Sequence, residues 1–117
     1  MHHLILSKKE KRLARELIEK GLQSEFKSIL GKAKTLLETW EDQGVDHKET
    51  YHKLYKHITQ SDKHIARRYD NMTGSKYLPT LAHLLGDKLV SVEEVSGFTD
   101  QIRNAILFLA GIEDNDE

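Results

Sequence analysis

The chain has no cysteine and a single proline in 117 residues. The first absence excludes disulfides, thiolate zinc sites, iron–sulfur clusters and cysteine nucleophiles together, and makes a reduced, cytoplasmic setting the expectation. Long apolar runs are missing too. Leu4-Ile5-Leu6 gives way to charge at Lys8, which is too little for a signal peptide or a membrane span. β-Branched residues seldom alternate with polar ones, so strand signals are poor. Gly74, Gly86 and Gly97 stand singly and form no phosphate-cradling loop. No serine sits in a nucleophile-elbow context. No catalytic residue is assigned, and neither an enzymatic activity nor a cofactor is expected.

What remains is helix. Ser7 and Glu10 have the spacing of a capping box, and a helical pattern runs from there to about Gln43, with Gly44 placed as its stop. Leu22, Phe26, Ile29, Ala33, Leu36 and Trp40 recur at three and four, and Leu30 and Leu37 widen the stripe. Gly21 and Gly31 weaken this helix by about 1 kcal/mol each relative to alanine without breaking it. Asp46 and Glu49 repeat the box and open a second helix with Tyr51, Leu54, Tyr55, Ile58, Ile65 and Tyr69 on its apolar face. It fades at Asn71 to Gly74. A third helix begins near Ser75 and ends at Gly86. Ser91 and Glu94 then cap a very short helix, and Thr99 caps a last one with Ile102, Ala105, Ile106, Phe108 and Leu109. The predicted fold is all-α: a long helix paired with a second, plus a C-terminal cluster, in one domain over residues 1–112. Residues 113–117 read as a disordered acidic tail.

The long helix carries an argument about assembly. At about 1.5 Å per residue it spans roughly 55 Å, against a diameter of about 35 Å for a compact domain of this size. Its own domain cannot cover it. Either it bends at a glycine or its excess stripe lies on a second copy, and a homodimer through Leu22, Phe26, Ile29, Ala33, Leu36 and Trp40 is the expectation.

Histidines invite a metal reading. Glu49-x-x-His52 has the spacing used by di-iron bundles, with His57 and Asp62 as further candidates, but such a site needs a second copy of the motif. Lys56 and Lys63 also flank the histidines. No metal site is assigned; the histidines are expected on a polar surface, and His83 as a partly buried packing residue. Leu81 to Gly86 followed by Val90 to Val95 superficially resembles a helix-turn-helix. Its second helix would present Glu93 and Glu94 to the phosphates, which repel them. Net charge is −1 overall, with basic blocks at the start and over residues 51–69 and an acidic C-terminal end. That balance argues against nucleic acid, although the basic faces at Lys8 to Arg15 and Lys53 to Arg68 are where it would bind.

The most distinctive stretch is Lys63-His64-Ile65-Ala66-Arg67-Arg68-Tyr69-Asp70. Lys63, Arg67, Arg68 and Tyr69 form a candidate docking surface for a protein partner, since Arg and Tyr are enriched at binding hot spots. Tyr69 continues the apolar stripe, so its ring should pack inward with the hydroxyl on a polar partner. Asp70 should help close the turn.

Ile65-Ala66-Arg67-Arg68-Tyr69-Asp70, the leucine-rich Leu78 to Leu85, then Leu89, Glu94 and Gly97-Phe98, resemble the C-terminal half of the cyanobacterial fluorescence recovery proteins. The resemblance implies an all-helical dimer with a long helical stalk and a compact head, acting without catalysis by binding the orange carotenoid protein. The family's Trp-x-x-His-Asp run is replaced here by His52, Tyr55 and Lys56, and one of its arginines by Asp62. The resemblance therefore implies the fold and the dimer, and leaves the carotenoid-protein activity without its residues. A non-enzymatic, homodimeric regulator or adaptor that docks a protein partner is the functional expectation; a nucleic-acid-binding regulator and a metal-binding helical bundle are the alternatives.

Overall fold

Ser7 and Glu10 open the first helix by capping each other. Ser7 Oγ accepts from the Glu10 amide and Glu10 Oε1 accepts from the Ser7 amide, both at 3.1 Å, which satisfies two amides that a helix start leaves free. In the computed structural model, which describes residues 4–112, helix α1 then runs Lys8–Gln43 without a break at Gly21 or Gly31. It stops where Gly44 takes a φ of 63°, a conformation that glycine enters at no steric cost. Helix α2, His47–Tyr69, is capped by the Asp46 carboxylate, which accepts from the Glu49 amide at 3.0 Å. The return bond expected of Glu49 is not made, because its carboxylate pairs one turn along with Lys53 at 3.1 Å. A 3-10 turn over Gly74–Lys76 leads into α3, Tyr77–Gly86, followed by α4, Val92–Val95, and α5, Asp100–Leu109. There is no strand among the described residues; the fold is all-α. Residues 113–117, read above as a disordered tail, lie outside the described residues.

The chain divides into two compact units. One comprises Met1–Leu22 with Asn71–Glu117; the other is Gln23–Asp70. In the first, Leu81, Leu84, Val95, Ile102 and Ile106 are fully enclosed, joined by Ala14, Leu17 and Ile18 from the start of α1. The buried stripe of α3 takes Tyr77, Thr80, Leu81, Leu84 and Leu85 inward. This turns His83 out to solvent, contrary to the expected packing role. Helix α3 ends at Gly86, as expected, and the left-handed position after it falls to Lys88, with a φ of 62°. Thr99 precedes α5 as expected, but its hydroxyl does not cap that helix. It donates instead to Glu10 Oε2 at 2.9 Å, as the Thr99 amide does at 3.0 Å. One buried carboxylate thereby fastens the starts of α1 and α5. Those bonds, with the two at Ser7, hold the Glu10 carboxyl below the usual range despite its burial.

The two glycines of α1 differ in kind. A methyl on Gly21 would come within 2.9 Å of both Leu84 Cδ atoms, and Leu84 is fully buried and cannot swing aside. Around Gly31 there is open space. Gly21→Ala is expected to destabilise by about 1–3 kcal/mol through overpacking, whereas Gly31→Ala should stabilise by up to about 1 kcal/mol through helix propensity. Chemical denaturation of both variants checks this. A stabilised Gly21→Ala would mean that the α1–α3 contact is looser than described.

Candidate functional site on the helical hairpin

Gln23–Asp70 holds the second part of α1 and all of α2. Bonds across the pair set the seam: Glu25 to His64, Arg68 and Tyr69; the Ile29 carbonyl to His57; and Trp40 to His47. Early residues of α1 thus meet late residues of α2, and the pair is antiparallel. His57 Nε2 donates to the Ile29 carbonyl at 2.9 Å, and Trp40 Nε1 donates to His47 Nδ1 at 2.8 Å. His57 and His64 are therefore seam residues, not members of the polar surface where they were expected. His57 is half-buried there, while His64 bonds to α1 with 43% of its side chain still exposed.

Glu25 is the centre of the seam. Only 12% of its side chain is exposed, and that of Arg68 is 14% exposed. Oε1 accepts from His64 at 2.7 Å; Oε2 accepts from Arg68 at 3.1 Å and from the Tyr69 hydroxyl at 2.5 Å. Burial alone would raise the Glu25 carboxyl, but Tyr69, His64 and Arg68 outweigh it and hold it below its ordinary value. Tyr69 is pushed up, first by burial and then by its bond to that carboxylate. A depressed carboxyl stabilises the folded state above its unfolded value near 4.5. That contribution is lost as pH falls through the folded value. Thermal melts read through Trp40, the single tryptophan, should lose stability from pH 5 to pH 3. Glu25→Gln should flatten the dependence, and equal slopes for the two proteins would contradict this role.

The residues singled out by sequence separate in space. Of the docking set, Lys63 and Arg67 are exposed, whereas Arg68 and Tyr69 are drawn into the seam by Glu25. Of the dimer set, Leu22 belongs to the first unit. Ile29, Leu36 and Trp40 lie at seam positions and are half-buried. Phe26 and Ala33, with Leu30 and Leu37, fall about 100° further round, one residue on from the seam. Because the helices are antiparallel, the positions one residue on from the seam of α2 lie on this same side, and they include Tyr51, Ile58 and Ile65, with Tyr55 beyond them. Leu30 is 66% exposed, Tyr51 65% and Tyr55 62%; the Tyr51 and Tyr55 rings stack with centroids 6.5 Å apart. No apolar side chain between Gln23 and Asp70 is buried.

The other side of the hairpin is polar throughout. It carries Ser28, Lys32, Thr35 and Thr39 from α1, and Glu49, Lys53, Lys56, Gln60, Lys63 and Arg67 from α2. Its acids are Asp42, exposed and in register with Ser28 and Thr35, and Glu49, which is paired with Lys53. The metal candidates do not converge: Glu49 is on this side, His57 in the seam and Asp62 exposed on the apolar side. Among the described residues no group of three possible ligands comes together, and no helix is long and apolar enough to cross a membrane. No family model matches the chain, and none of the curated proteins compared with it matches either.

Proposed function

We propose that the protein is a non-catalytic, homodimeric binding protein: its hairpin self-associates through the apolar side and keeps the polar side for a macromolecular partner. One observation carries the reading. Gln23–Asp70 buries none of its apolar side chains, yet places Phe26, Leu30, Leu37, Tyr51, Tyr55 and Ile58 together on one side. Two amphipathic helices alone cannot enclose a core, and a further layer is needed. A second hairpin supplies it as a four-helix bundle. The apolar side is also nearly free of charge, Asp62 being its main exception, so a copy of itself is a complementary surface, as a two-fold interface requires. The dimer that the fluorescence-recovery-protein resemblance implies agrees with this, and the non-enzymatic regulator or adaptor role is proposed on the same ground. Hydrogen exchange tests it. Amides of α2 should be protected at tens of micromolar and exchange faster on dilution to the nanomolar range. Protection that is the same at both concentrations would contradict the proposal.

A further inference from the structure

The polar side of the hairpin has a composition of its own. Lys53, Lys56, Lys63 and Arg67 follow one another along α2 at spacings of three, seven and four, with Gln60 filling the gap. The row spans about 21 Å at 1.5 Å per residue. Lys32 joins it from α1, and Ser28, Thr35 and Thr39 supply hydroxyls. Lys56, Lys63 and Arg67 are exposed, and none of Lys32, Lys56, Lys63 and Arg67 has an acidic partner in the hairpin. No apolar side chain interrupts the side.

We infer that this side binds the sugar-phosphate backbone of double-stranded nucleic acid without reading its sequence. Three features select that occupant. Cations interleaved with Ser, Thr and Gln are the donors that phosphate oxygens accept from. A protein partner would need buried aromatic or aliphatic anchors at the centre of the contact, and this side has none. A single strand would be held by bases stacked on aromatic rings, but Tyr51 and Tyr55 are on the opposite side. The near-neutral total charge, which argued against nucleic acid in the sequence, averages over a side of the hairpin that is itself net basic. On this side Lys32, Lys53, Lys56, Lys63 and Arg67 face two acids, Asp42 and Glu49, and Glu49 is already paired with Lys53.

The inference rests on the dimer reading in one respect: self-association through the apolar side leaves the polar side of each copy open. The test separates the two. Fluorescence anisotropy with a 24-base-pair DNA duplex and an RNA duplex of the same sequence should show binding at 20 mM salt. With about four phosphates neutralised, affinity should fall roughly 100-fold between 50 and 200 mM salt. Lys56→Glu combined with Lys63→Glu should weaken binding at least tenfold and leave the sedimentation of the free protein unchanged. Lys27→Glu combined with Lys34→Glu, on the outer side of α1, should bind within threefold of the parent. No binding by a protein that sediments as a dimer would overturn this inference and leave the dimer standing, whereas binding by a monomer would do the reverse. Undiminished binding by the Lys56 and Lys63 variant, or binding to vesicles containing 30% phosphatidylserine but to neither duplex, would also overturn it.

Discussion

Leu30→Glu combined with Tyr51→Glu is expected to turn the proposed dimer into a monomer whose hairpin is largely unfolded, while the unit built on α3 and α5 keeps its structure. Both side chains are about two-thirds exposed in the single chain, so neither substitution removes much packing within it. In the proposed dimer their effect arises where a second copy would cover them. Burial of a large apolar side chain is worth about 1.5–3 kcal/mol, and a two-fold interface counts each position twice. The combined loss is at least about 6 kcal/mol, or roughly 10⁴ in the dissociation constant. Near-ultraviolet and far-ultraviolet circular dichroism, with sedimentation, would follow it. A variant that keeps parental helicity and mass would show that the apolar side is not an interface. Lys56→Glu, on the polar side, should do neither.

Glu10→Ala is expected to be the most damaging single change in the other unit. The Glu10 side chain is buried and accepts from the Ser7 amide, the Thr99 amide and the Thr99 hydroxyl. Each partly buried donor left without an acceptor costs about 1–3 kcal/mol, so a total of about 3–5 kcal/mol follows once water has reached some of them. Glu10→Gln keeps an acceptor for part of the network and should recover about half. Urea denaturation of the two variants checks the order. If Glu10→Ala proved no worse than a lost helix cap, about 1 kcal/mol, the link to Thr99 would be incidental.

The helices were readable because their ends are written locally. Ser7 with Glu10, Ser91 with Glu94, Asp46, and glycine at position 44 each act within a few residues. What those signals could not reveal is the second use of a group. Glu10 was legible as a cap, but its other oxygen serves Thr99, 89 residues away. The apolar pattern of α1 was also legible but too wide to resolve. Ile29 and Phe26 both fit a helical stripe, and only the position of α2 decides that the first meets the seam and the second is left free. Glu25 was missed, although a signal existed. It stands beside Phe26, four residues before Ile29 and so on the same inner face, and the second helix offers His64 and Arg68 one turn apart. His52 is exposed, as its polarity suggests, whereas His57 and His64 fall at seam positions and bond to α1.

On the proposed reading, the hairpin of Gln23–Asp70 is complete only against a second copy of itself. Sedimentation equilibrium of the parent protein tests it most directly. A dimer of about 27 kDa, twice the chain's 13.5 kDa, is predicted at tens of micromolar, and a single species of 13.5 kDa across that range would contradict it.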